Sequence, residues 1–184
     1  MKTLHLLVLA PLLLAMSGCF KNNVYDEYKD WREANEAWYA RQALLTDDER
    51  GGLYFTTLTA TWDPSAQVLI HWYNDTADTR YNLKPLFSST VDVKYRGTTK
   101  DGTPFDSSYV RTSPADSIFR CRLNGTIIEG WAIALTHMHV GDSCRVIVPF
   151  GQAYGSSKVS TTILPYTDLV FDIKLVDIYA YETH

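Results

Sequence analysis

The sequence predicts an α+β fold: an antiparallel sheet wrapped around one short helix, preceded by an N-terminal helix and a β-hairpin. Three observations carry this. Strand-like runs dominate the C-terminal half, and the alternation of Val91, Val93 and Tyr95 with Asp92, Lys94 and Arg96 marks one run as a half-buried strand. A single short helical stretch, Trp131 to Met138, lies among those runs. Long βαβ crossovers are missing, which favours hairpin-linked antiparallel pairing over a parallel sheet.

The elements follow in order. Lys21 to about Leu45 reads as one helix without Gly or Pro; Val24, Tyr28, Trp31, Trp38 and Leu45 recur near helical spacing on one face. That aromatic stripe is expected to pack against the domain that follows, because left exposed it would endanger solubility. A partner-binding or dimerising helix is the competing reading. Thr46-Asp47-Asp48-Glu49 is suited to cap a further turn, which Gly51-Gly52 would end. Leu53 to Trp62 and Gln67 to Tyr73 are rich in Thr and aromatics, and Asp63-Pro64-Ser65 between them is turn chemistry, so a hairpin is expected. Asn74 to Pro85 is a polar connection. After the strand from Val91, Lys100-Asp101-Gly102 turns the chain and Phe105 lies on the returning strand. Ile118 to Leu123 is another strand, closed by the turn Asn124-Gly125. Cys144 to Val148 and Thr167 to Ile178 are the last two, with Leu169, Phe171, Ile173 and Leu175 on one face of the latter.

With 184 residues, 46% hydrophobic and 21% charged, the chain can bury a real core and is not a disordered composition. Its net charge of -4, with no basic run, argues against nucleic acid as a partner. The N-terminal segment reads as targeting rather than fold: Lys2, then the apolar run Leu4 to Ala15, too short to span a bilayer. Met16-Ser17-Gly18-Cys19 resembles a bacterial lipobox, which makes 1–18 a lipoprotein signal peptide and Cys19 the lipidated N-terminus. The expected location is the cell envelope, lipid-anchored, with the outer membrane facing the periplasm as the default. Cys121 and Cys144 remain; separate core residues are favoured over a disulfide. His137 and His139 lack partners at ligand spacing, so no metal is expected.

Four blocks then point to one family. Val91-Asp-Val-Lys-Tyr95-Arg-Gly97 leads to Asp101-Gly102 and Phe105-Asp106-Ser107-Ser108. Ile127-Ile128-Glu-Gly130-Trp131 is the second; Val140-Gly141-Asp142 with Pro149 and Ala153-Tyr154-Gly155 the third; Ile163-Leu-Pro165 with Leu169-Val-Phe171-Asp-Ile-Lys-Leu175 the fourth. In this order and spacing they resemble the signatures of FKBP-type peptidyl-prolyl cis/trans isomerases, over about Leu86 to Tyr179. The resemblance implies an FKBP-like domain at 86–184, with 19–85 as an N-terminal helix and hairpin extension. It also implies an isomerase without a cofactor, acting on proline-containing polypeptides and open to macrolide inhibitors.

By that resemblance, Tyr95, Phe105, Phe119, Trp131 and Phe171 line a pocket floored by Trp131. Ile127 and Ile128 form a wall, the Ile128 N–H and the Tyr154 hydroxyl donate to substrate, Asp106 holds Tyr95, and Ile163 closes one side. The residues alone fit this reading. Rotation about an Xaa-Pro amide breaks no bond, so neither a nucleophile nor a metal is required. A dry aromatic pocket with fixed donors suffices to favour the twisted amide. Large aromatics by themselves are more often core; Asp106 and Tyr154 among them point to a binding site. The family's loop after Tyr154 differs here, carrying Ser156, Ser157 and Ser160, and Tyr109 to Ser117 is longer. Two further functions are open: a proline-binding or chaperone module without turnover, and a structural lipoprotein of an envelope complex.

Overall fold

The computed structural model describes residues 23–49, 51–125 and 127–181; the signal segment and Cys19 lie outside them. Seven strands form one sheet: β1 (Thr56–Thr59), β2 (Gln67–Trp72), β3 (Thr90–Thr99), β4 (Pro104–Ser107), β5 (Phe119–Arg122), β6 (Ser143–Val148) and β7 (Leu169–Ala180). The helices are α1 (Val24–Glu27), α2 (Lys29–Ala43), α3 (Thr76–Thr79) and α4 (Glu129–His137). The sheet order is β1-β2-β6-β7-β3-β4, with β5 also on β3, and every pairing is antiparallel. The expected fold class is thus the observed one.

Alternation along the strands sorts side chains onto two faces. Val68, Ile70, Val146, Val148, Leu169, Phe171, Ile173 and Leu175 turn inward and meet α4, whose Trp131, Ile133, Ala134 and Leu135 are buried. Leu69 and Ile147, paired across β2 and β6, turn the other way. With Phe55 they form a small outer cluster against which Trp38, Tyr39 and Ala43 of α2 pack. α4 sits close to the sheet because its second residue is Gly130: a Cβ there would lie 2.3 Å from Val148 Cγ1.

The hairpin forms as expected around Asp63, whose carboxylate accepts from the Ser65 N–H and Oγ. It does not stand apart, however. β2 pairs with β6, so the hairpin extends the same sheet. The N-terminal helix also differs from the sequence reading: it breaks at Tyr28 (φ -107°, ψ 21°) into α1 and α2. Of the aromatic stripe, Val24 and Leu45 stay exposed, while Trp31 and Trp38 turn onto the domain. α2 is fastened by polar groups that hydrophobic spacing does not reveal. Asn35, fully buried, donates to the Trp31 carbonyl and accepts the Asp168 N–H at 3.0 Å, and Trp31 Nε1 donates to Thr167 Oγ1 at 3.0 Å.

The polar connection after β2 contains α3 and is held by Asp142, buried in the Val140-Gly141-Asp142 turn. Its carboxylate accepts from Asn74 Nδ2 at 2.9 Å, from the His139 N–H at 2.7 Å and from the Thr79 hydroxyl. Cys121 and Cys144 are both free and buried, and burial pushes the Cys121 thiol up to about 12. His137 Nδ1 lies 2.8 Å from the Ile133 carbonyl in α4. Among the described residues no helix is long and apolar enough to cross a membrane.

Candidate functional site

β3 provides the first wall of a cavity at the inner face. Two strands share its edge: β5 covers Thr90 to Val93 and β4 covers Arg96 to Thr98. Where they part, Tyr95 donates its N–H to the Oγ of Ser108, 2.9 Å away and fully buried, so the backbone stays satisfied without a partner strand on that side. Two residues on, Gly97 makes space for aromatics. A Cβ there would come within 2.7 Å of the Phe105 ring and 2.9 Å of the Phe171 ring. With hydrogen in its place, those rings meet edge-to-face at 5.5 Å.

Trp131 lies at the first turn of α4, is 4% exposed, and forms the floor. Its ring stands edge-on to Tyr95 at 4.8 Å, to Phe171 at 5.2 Å and to Phe119 at 6.0 Å. Ile127 and Ile128, which lead into α4, complete the apolar lining. The cavity measures about 150 Å³. An apolar cavity of roughly that size admits benzene, so a five-membered ring fits.

Polar groups sit on one side. The Tyr95 hydroxyl donates to Asp106 Oδ2 at 2.5 Å, and the Ser107 N–H donates to Asp106 Oδ1 at 2.7 Å, so both carboxylate oxygens are engaged. Burial, together with the neighbouring Asp106, pushes the Tyr95 phenol up to about 12, which keeps it a neutral donor. Tyr154 stands at the rim, 40% exposed, its phenol also raised by burial and by the Asp106 charge. Ile128 is the N-cap of α4, and its N–H makes no hydrogen bond among the described residues. It lies at the positive end of the helix, suited to a carbonyl.

The structure therefore brings Tyr95, Phe105, Asp106, Phe119, Ile127, Ile128, Trp131, Tyr154 and Phe171 to one cavity. Ile163 is the exception. It is buried in the inner core and does not line the cavity. Its N–H bonds to Ser160 Oγ and its carbonyl accepts from Val159 and Ser160, a local turn that directs the side chain inward. The same Ser/Thr-rich loop is closed at its base by the Tyr166 N–H on the Gly155 carbonyl at 2.7 Å.

One lining residue escaped the sequence reading. Arg111, in the long segment after β4, reaches the cavity with Nη2 3.5 Å from the Tyr95 hydroxyl and its guanidinium 4.8 Å from the centre of the Phe119 ring. The length of that segment was visible; that one of its residues folds back over an aromatic ring was not. No cluster of metal-ligating side chains occurs among the described residues.

Comparison with known proteins converges on one family. The family model for FKBP-type peptidyl-prolyl cis-trans isomerase matches residues 84–176. The macrophage infectivity potentiator of Trypanosoma cruzi is 38% identical over 94 residues, covering 51% of this chain and 45% of that protein. FK506-binding protein 1 of Saccharomyces cerevisiae is 35% identical over 95 residues, 51% of this chain and 80% of that protein. The match thus spans under half of the trypanosome relative and most of the yeast one. Among solved structures, the peptidyl-prolyl isomerase of Pseudomonas syringae aligns with a TM-score of 0.62 at 26% identity, covering 82% of this chain and 95% of that one. FkpA of Escherichia coli aligns with a TM-score of 0.63 at 26% identity, covering 84% and 62%. The cavity, the ordered blocks and these matches agree: the chain belongs to the FKBP-type peptidyl-prolyl cis-trans isomerase family.

Proposed function

We propose that this protein isomerises Xaa-Pro bonds in exported polypeptides, held at a membrane through lipid on Cys19. The observation that carries the isomerase reading is the cavity itself: five aromatic rings around a space the size of a proline ring, with Tyr95–Asp106, Tyr154 and the Ile128 N–H beside it. The barrier to rotation, about 18–20 kcal/mol, comes from amide resonance. Twisting the amide reduces that resonance and leaves a less polar carbonyl, so an apolar enclosure favours the twisted form over the planar one. The Ile128 N–H and Tyr154 hydroxyl orient the substrate carbonyls, and Asp106 fixes Tyr95 as part of the wall. No proton is transferred and no covalent intermediate forms. Macrolides such as FK506, named in the yeast relative, would compete for the same space.

A protease-coupled assay on a proline tetrapeptide should show acceleration that a macrolide abolishes; rates equal to buffer would refute the enzyme. Asp106→Ala and Tyr154→Phe should each lower kcat/KM by about fivefold to tenfold, the value of one hydrogen bond, without unfolding the domain. The signal-like segment and lipobox before the domain support the anchor and the envelope location. Cys19→Ala should abolish metabolic labelling by a fatty acid and release the protein from membranes.

A further inference from the structure

Tyr154 presents its hydroxyl at the rim of the cavity, yet its side chain makes no hydrogen bond among the described residues. Where that ring stands is therefore decided by its backbone. The N–H groups on either side of it, of Ala153 and Gly155, both donate to the Phe150 carbonyl, at 3.1 and 2.8 Å. The Phe150 N–H in turn donates to Asp168 Oδ1 at 2.8 Å. One peptide group thus holds the turn that carries Tyr154, and one carboxylate holds that peptide group.

Asp168 is itself firmly placed. It is buried immediately before β7, and its own N–H donates to Asn35 Oδ1 at 3.0 Å. Its Oδ2 is buried and makes no hydrogen bond among the described residues. A proton can settle on Oδ2 while Oδ1 keeps the Phe150 N–H. That bond then changes from charge-assisted to neutral and loses roughly half its strength. The charged and titratable groups acting on the carboxyl are Glu36 and Tyr39 of α2 and Lys100, just past β3; the turn Phe150–Gln152 brings none. Burial and the Glu36 charge outweigh the Phe150 N–H and Lys100, and push the carboxyl up to about 6.

We propose that Asp168 is a positioning residue for the cavity: through the Phe150 peptide, its ionised carboxylate fixes Tyr154 where it can donate to a substrate carbonyl. The inference rests on the proline-binding reading above and on Tyr154 as a donor. Its consequence is a division of sign. The proton on Asp168 favours the folded state, because burial disfavours the charge. The same proton weakens the hold on Phe150, so the site is better ordered once it has left. A residue that served the fold alone would make activity follow stability; here the two run in opposite directions.

The test follows isomerisation by NMR exchange spectroscopy and affinity for a single-proline peptide by calorimetry, from one unit below the Asp168 midpoint to one unit above it. In the wild type both should improve by about threefold as pH rises through about 6, while stability falls. Asp168→Asn keeps an acceptor oxygen but never ionises, so it should hold the acid value at every pH. Tyr154→Phe should also lose the pH dependence, although Asp168 is intact. Any titration of Asp106 in the cavity survives in Asp168→Asn, so the difference between the two profiles is the readout. A profile that Asp168→Asn leaves unchanged, a rise that persists in Tyr154→Phe, or activity that falls with stability overturns the positioning role. An Asp168-dependent rise in affinity without acceleration at any pH supports it while refuting the isomerase reading. Acceleration that is the same at every pH does the reverse.

Discussion

The two faces of the sheet are covered by different kinds of contact. On the inner face, α4 lies against inward-turned strand residues in a continuous apolar core, and the aromatic cavity is an indentation in that core. On the outer face, Phe55, Leu69 and Ile147 are the buried members of a small cluster under Trp38, Tyr39 and Ala43, and α2 is further joined to the domain by the hydrogen bonds of Asn35 with Asp168 and of Trp31 with Thr167. The inner face gains from burial, which is cumulative and tolerant of detail. The outer face depends on a few directional bonds, each costly to leave half made. The site is built on the larger apolar cluster, and the additional helix packs on the smaller one.

Four changes would break or sharpen this contrast. Trp131→Ala opens a hole at the centre of the inner face; a loss of about 3–5 kcal/mol by chemical denaturation is expected, with binding of proline peptides abolished. Next comes pH. Burial pushes the Asp168 carboxyl up from 3.8 to about 6, with the nearby Glu36 charge adding and the Phe150 N–H opposing. A raised carboxyl pKa means the folded state binds the extra proton. Its stabilisation is therefore complete below the unfolded value and lost as pH rises through about 6. Denaturation between those limits should show wild type losing on the order of 2–3 kcal/mol relative to Asp168→Asn.

Gly130→Ala places a methyl against Val148 and should cost about 1–3 kcal/mol, lifting α4 and weakening peptide binding along with stability. Asn35→Ala leaves the buried Asp168 N–H without its acceptor and should cost about 1–2 kcal/mol. Hydrogen exchange would then quicken in α2, while peptide affinity stays within about twofold of wild type. Equal loosening of α4 in that variant would show that the two faces act as one unit.

Much of the site was legible before any coordinates. Tyr95, Asp106, Trp131, Tyr154 and Phe171 stand in ordered motifs, and the alternation along β3 and β7 put the right side chains on one face. Ile163 read as a pocket residue because motif position does not disclose the local turn at Ser160 that points it inward. Arg111 was missed because its partners are the Phe119 ring face and the Tyr95 hydroxyl rather than a charge with recognisable spacing. The break at Tyr28 was invisible because no Gly or Pro marks it.

The sequence by itself determined the fold class, the order of strands along the chain and most of the residues that line the aromatic cavity, because side-chain period and local motifs carry that information within a few residues. The tertiary structure alone decided how the parts before the domain belong to it. Asn35 meets Asp168 across 133 positions, Trp62 meets Glu129 across 67, and β2 joins the sheet on β6. Such pairings leave no periodic trace, since each depends on where the sheet brings distant backbone together and not on any spacing along the chain.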